Sequence, residues 1–287
     1  MDKPPRDVEA DIWTHIVELA TRLRRIALAV IALTFILSSI PLSINPYIPL
    51  IKVFPNMIIS HVTPDKISFM GKTYNVELAQ FNPFAGFNVL LKSAILLGIL
   101  GASPIIAREI FEYIKPALYP HEEKIIKRLS IASVALFIGG ALLAYFIVVP
   151  LALRIMFLTS VVIVGERELV AFADVERLFT LIIQLIIATG LMFEIPLIVY
   201  IIVSNGIIEP DRFKGDTMKY IFLVSMIIGA IISPDPTGLG MMMIGVPYYM
   251  LFYGAVKLGE RNYYKKTSVK KEFINDRREE ITIPANS

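Results

Sequence analysis

LFTLIIQLIIATGLMFEIPLIVYIIVSN, residues 178–205, holds one charge, Glu194, in 28 residues. A helix of that length reaches about 42 Å, whereas the hydrocarbon core of a bilayer is about 30 Å thick. The segment therefore predicts a membrane-spanning helix that tilts or bends. Glu194 falls about ten residues, or about 15 Å, from the C-terminal end of the run, near mid-membrane. An ionised carboxylate there costs several kcal/mol unless it is paired, hydrated or protonated. Pro196, two residues on, removes the hydrogen bond that the Met192 carbonyl would otherwise accept. Glu194 and that carbonyl together predict a polar notch in an apolar helix.

Outward from this stretch the pattern repeats. Further uncharged or nearly uncharged apolar runs cover 26–51, 93–107, 129–153, 220–234 and 239–256. Only 18% of the 287 residues are charged and 55% are hydrophobic, against about 25% charged in a soluble domain. We predict an all-α, polytopic membrane protein with six transmembrane helices near 24–42, 86–110, 128–154, 176–203, 218–232 and 239–257. Residues 1–258 form one transmembrane domain with an N-terminal interfacial helix. The charged tail 259–287 reads as solvated and mobile. A polar, acidic stretch precedes the first run, so that run is expected to stay as a span rather than be cleaved.

The connections alternate in basic residues, with 21 Lys and Arg on the side of both termini and 5 on the other. The positive-inside bias predicts a cell-membrane protein with both termini in the cytoplasm. Lys92, at a helix edge, is expected to snorkel to the outer interface. The fifth uncharged segment, 220–232, would span only about 20 Å as a helix. The sixth is short too and is interrupted by Pro247. The two are joined by the tight turn Ser233-Pro234-Asp235-Pro236-Thr237-Gly238.

Several positions also have an ordinary explanation. Ile12, Ile16, Leu19 and Leu23 share a helix face, and Glu18 is spaced for an i,i+4 pair with Arg22. Pro116 and Pro120 predict the end of the second helix. Glu122 and Glu123 suit the N-terminus of the third, and Asp235 suits a turn. Cysteine is absent, which excludes a disulfide framework and thiolate chemistry. No phosphate loop, dinucleotide fingerprint, nucleophile elbow or zinc-protease motif occurs. Neither an enzyme nor a cofactor is expected. The net charge of +3 is too small and dispersed to suggest nucleic acid.

In order along residues 14–257, several segments resemble the TatC family, the multispanning receptor subunit of the twin-arginine protein translocase. They are Thr14-His15-Ile16-Val17-Glu18-Leu19, Ser103-Pro104, Pro116-Ala117-Leu118-Tyr119-Pro120-His121-Glu122, Phe193-Glu194-Ile195-Pro196, Ser233-Pro234-Asp235-Pro236-Thr237 and Pro247. The resemblance implies a concave, glove-like bundle that binds twin-arginine signal peptides of folded cargo. It also implies small single-span partner subunits of the TatA/TatB type, self-association, and transport driven by the proton-motive force. Glu18 and Glu122 would face the signal's arginines, with Tyr113, Tyr119 and His121 joining them. Carboxylates suit that role because guanidinium bonds them bidentately and lysine cannot copy the geometry. Glu194 would be an intramembrane polar contact. Asp235, Pro234 and Pro247 would belong to the partner-docking edge. Ala20, Glu123 and Tyr253 depart from common residues of the family. The competing readings are a proton-coupled secondary transporter using Glu194, against which no internal repeat is evident, and an intramembrane enzyme.

Overall fold

The computed structural model describes residues 12–69, 72–118, 123–164, 171–234 and 237–282. The protein is a mostly helical, multi-pass membrane protein. Among the described residues, four helices are long and apolar enough to cross a membrane: Ala85–Tyr113, Lys127–Ser160, Val175–Ser204 and Leu239–Ser268. They correspond to the second, third, fourth and sixth predicted spans. By packing, the chain divides into two units, residues 1–138 with 166–184, and residues 139–165 with 185–287.

In the first unit, α1 (Ile12–Ser39) packs along α3 (Ala85–Leu118). A small residue on α3 makes this close approach possible: a Cβ on Gly98 would lie 1.9 Å from Thr34 Oγ1 and 2.9 Å from the Val30 carbonyl oxygen. Such glycines let helix backbones approach where hydrophobic burial does not drive association. α1 is one unbroken helix, so the expected interfacial segment is continuous with the helix of the first predicted span. The uncharged run 26–51 does not form one helix. It stops at Ser39, and Pro41–Ile44 (β1) folds back antiparallel on Tyr47–Pro49 (β2). A short apolar helix, α2 (Leu50–Val62), follows.

The connection between α1 and α3 also carries strands that the hydropathy reading missed. Lys66–Phe69 (β3) pairs antiparallel with Lys72–Ala79 (β4). β4 in turn pairs parallel with Ala171–Asp174 (β5). The Tyr74, Val76 alternation with exposed Thr73, Asn75 and Glu77 was the available signal. β5 leads directly into α6 (Val175–Met192), whose first turn is capped by Asp174 Oδ1 accepting from the Glu176 N–H at 2.9 Å. Pro116 does not end α3, which continues to Leu118. One missing donor is tolerated where neighbouring structure compensates.

α4 (Glu123–Leu143) runs from the first unit into the second, where it meets α5 (Val149–Val164) through a π turn, Ala144–Val148, closed by the Val149 N–H on the Ala144 carbonyl. Pro150 lies just beyond, where a regular ladder would lose a donor. Val148, Met192, Ile244 and Tyr248 form a buried cluster against Leu143, Ile228, Ile232 and Phe252. α7 (Ile195–Ser204), α8 (Asp216–Ile232) and α9 (Leu239–Thr282) complete the unit, with α9 packed on both α7 and α8.

α8, at 17 residues, is short as predicted, but α9 is not. It passes through Pro247 without interruption and continues to Thr282, 44 residues in all. The segment read as a mobile tail is thus helical from Gly259 to Thr282. Its start is braced by Lys214, whose Nζ lies 2.6 Å from Asp211 Oδ1 and 3.5 Å from Glu260 Oε1. Tyr264 Oη adds a bond to Asp211 at 3.4 Å, and Asn262 Nδ2 donates to Tyr200 Oη at 2.5 Å. The Lys214 hydrogen bond holds the Asp211 carboxyl below its ordinary 3.8. A depressed carboxylate stabilises above its unfolded pKa and loses that contribution as pH falls through the folded value. Amide protection across 257–264, measured against the intrinsic exchange rate at each pH, should therefore fall only below about pH 4; a fall between pH 7 and 5 would contradict the brace.

Candidate functional site

The fourth predicted span is broken where its sequence indicates. α6 ends at Met192 and α7 begins at Ile195, with Glu194 as its N-cap residue and Pro196 in its first turn. Phe193 and Glu194 form the turn between, and the Glu194 carbonyl accepts from Leu197 and Ile198 at 3.1 and 3.3 Å. Glu194 is half-buried in this interruption. Close by, Thr189 is fully buried. Gly140 of α4 packs against the Thr189 carbonyl, the Gly190 Cα and the Phe193 ring, so the helices meet at the break.

A second polar cluster lies where α1 begins and α3 ends. Glu18 and Arg22 form the i,i+4 pair expected from spacing, Arg22 Nη2 to Glu18 Oε1 at 2.7 Å and Nε to the same oxygen at 3.1 Å. The guanidinium also reaches across to α3. Arg22 Nη1 lies 3.2 Å from Glu109 Oε2 and 3.4 Å from Glu112 Oε2. Two further arginines complete the group: Arg25 at 3.7 Å from Glu109, and Arg108 at 3.1 Å from Glu112. The Arg22 and Glu109 side chains are the most enclosed, 16% and 13% exposed. Sequence reasoning missed Glu109 and Glu112. The available signal was an i,i+3 acidic pair at one end of α3, matched by Arg22 and Arg25 on the first helix.

A third cluster gathers around Glu176 at the start of α6. Its carboxylate accepts from Asn88 at 2.7 Å and Asn82 at 3.2 Å, and pairs with Lys92 Nζ at 3.4 Å. Lys92 also donates to Thr180 Oγ1 at 2.6 Å. Lys92 is therefore fixed between α3 and α6 rather than snorkelling freely. Glu176, Asn82 and Thr180 border a 560 Å³ recess that Gln184 and Phe81 also line. Among the described residues, no group of three His, Cys, Asp or Glu could hold a metal ion.

Of the remaining expected site residues, Tyr113 is half-buried on α3, beside Glu112. Pro234 is exposed just after α8, and Pro247 is half-buried within α9. Tyr119, His121, Glu122 and Asp235 lie outside the described residues.

A family model described as "Sec-independent protein translocase protein (TatC)" matches residues 14–247. The chain belongs to the TatC family. That family is a protein translocase component, not an enzyme. A TatC of Aquifex aeolicus is 34% identical over 203 residues, covering 70% of this chain and 81% of the relative. A TatC of Methanocella arvoryzae is 28% identical over 257 residues, covering 87% and 93%. Among solved structures, "Crystal Structure of Twin Arginine Translocase Receptor- TatC" matches with a TM-score of 0.64 at 28% identity, covering 86% of this chain and 99% of that one. The same receptor in DDM matches with a TM-score of 0.65 over 85% and 99%. The TatC match favours a translocase component over the solute transporter that Glu194 alone had left open.

Proposed function

We propose that this chain is the receptor of a twin-arginine translocase, binding the consecutive arginines of signal peptides on the side of its termini. The observation that carries the reading is the cluster on α1 and α3. There, Glu18, Glu109 and Glu112 hold a guanidinium at 2.7–3.4 Å. Carboxylates arranged around a planar, five-donor cation discriminate it from a point-charge ammonium. The similarity to a solved structure titled as a twin-arginine translocase receptor supports the same ligand. The excess of Lys and Arg beside these residues supports a cytoplasmic placement for them and for both termini. Glu122, with Tyr113, Tyr119 and His121, is assigned to the same role by the family resemblance. Transport itself draws on the proton-motive force, with small single-span subunits of the TatA/TatB type and further copies of the chain as partners. Glu194 is then the mid-membrane polar contact, while Asp235, Pro234 and Pro247 serve the partner-docking edge.

Photocrosslinking of a twin-arginine signal peptide to the membrane-embedded chain tests this. Wild type should label strongly with the twin-arginine peptide and weakly with its twin-lysine form. Glu122→Ala should lower labelling at least about tenfold, since a charge-assisted bond is worth about 1.5–3 kcal/mol. Glu18→Ala should lower it less. Equal labelling by arginine and lysine peptides would defeat the receptor reading.

A further inference from the structure

We propose that Arg22 is a resident arginine occupying the receptor's own arginine pocket at rest, and that a signal-peptide arginine enters by displacing it. This rests on the receptor reading and adds a competitor to it. If Glu18 is to take an incoming guanidinium, its present partner matters, and that partner is Arg22, through two bonds to a single oxygen. The same side chain is the ligand of Glu109 and Glu112. The pocket is thus filled by the kind of group it is proposed to recognise, supplied from one turn along its own helix.

Charge balance separates exchange from simple addition. Glu18, Glu109 and Glu112 are matched by Arg22, Arg25 and Arg108. A fourth guanidinium would leave excess positive charge around the enclosed Arg22–Glu109 pair, 16% and 13% exposed. Exchange with Arg22, whose long stem can carry its head out to water, keeps the balance. Geometry also provides a first foothold. Glu18 engages Arg22 through Oε1 alone, and Glu109 engages Arg22 and Arg25 through Oε2 alone. Among the described residues, the other oxygen of each carboxylate has no partner. An arriving guanidinium can bond to these free oxygens before Arg22 leaves, whereas a bidentate grip requires that it leave.

A resident arginine also sharpens selectivity. An incoming arginine trades like for like and gains from its flanking contacts. A lysine would have to evict a forked, multiply bonded cation while offering a point charge in return. The apparent affinity for any ligand is reduced by the fraction of receptor in which Arg22 has let go.

The test measures equilibrium binding of labelled twin-arginine and twin-lysine signal peptides to the full chain in nanodiscs. Wild type, Arg22→Gln and Arg22→Lys are compared, with helicity checked for each. Arg22→Gln should bind the twin-arginine peptide about tenfold more tightly, because the competitor is gone and the competent fraction rises. The twin-lysine peptide should gain at least as much, so that discrimination shrinks. Arg22→Lys, a weaker occupant that keeps the charge, should fall between, and it decides the matter if Arg22→Gln fails to fold. Folded variants that bind the twin-arginine peptide no better than wild type, or worse, overturn the displacement proposal. Wild type that binds both peptides equally would instead remove the receptor reading beneath it.

Discussion

Gly229→Ala should destabilise the protein by about 2 kcal/mol, in the range for overpacking a tight interface, whereas Gly254→Ala should be neutral or slightly stabilising. The two glycines lie on partner helices, α8 and α9, and both substitutions add a single methyl group. A Cβ at Gly229 would lie 2.5 Å from the Met241 carbonyl oxygen and 3.1 Å from the Gly245 nitrogen. Both are backbone atoms of α9, so the contact cannot be relieved by turning a side chain. A Cβ at Gly245 would meet the reverse surface, 2.9 Å from the Ser225 carbonyl oxygen. Ser225, Gly229 and Gly245 therefore form a close small-residue crossing of the kind that holds helices together in lipid. At Gly254 a Cβ meets nothing within 4 Å, and alanine's better helix propensity, about 1 kcal/mol, is free to act. Thermal unfolding in a fixed detergent would separate them. Equal midpoints for the two variants would mean that the α8 and α9 backbones are farther apart than described.

Uncharged length and one acid beside a proline were enough to read four of the predicted spans and the interruption at Glu194. Both follow from local physics, since lipid penalises charge and proline removes a donor whatever the neighbours are. Pro116 and Pro247 show where that reasoning stops. Each lacks its N–H, yet α3 and α9 continue through them, because the rest of the hydrogen-bond ladder sustains a helix across one missing donor. The strands between α1 and α3 were hidden for a different reason. β4 pairs with β5 from a distant connection, Val76 opposite Ala171, and no window along the chain contains both. Glu18 was legible only as far as Arg22. Its place beside Glu109 and Glu112 depends on α1 lying along α3, a tertiary fact set partly by Gly98.

Glu176→Met should cost more stability than Glu176→Met combined with Lys92→Met. Lys92 lies seven residues into α3, about 10 Å along a helix that crosses the membrane. Its ammonium is held by Thr180 and Glu176, while Glu176 also accepts from Asn82 and Asn88. Removing the carboxylate leaves a cation and two amide donors short of an acceptor. Breaking a fully buried pair in this way costs about 3–5 kcal/mol. Lys92 is 32% exposed and Glu176 19%, so water returns part of the loss, and about 2 kcal/mol is the expected single-mutant effect. Removing Lys92 as well deletes the uncompensated charge, and methionine fills the space with an adaptable apolar side chain. The double variant should recover more than half of the deficit. A double-mutant cycle on unfolding midpoints reads the coupling directly. Strict additivity would show that apolar packing holds this region, where Phe179 and Ile182 of α6 are fully buried, with the polar network only tolerated beside it. Coupling would show that one carboxylate at the start of α6 fixes the register of two spans, which gives its three polar partners, Asn82, Asn88 and Lys92, a structural reason to be there.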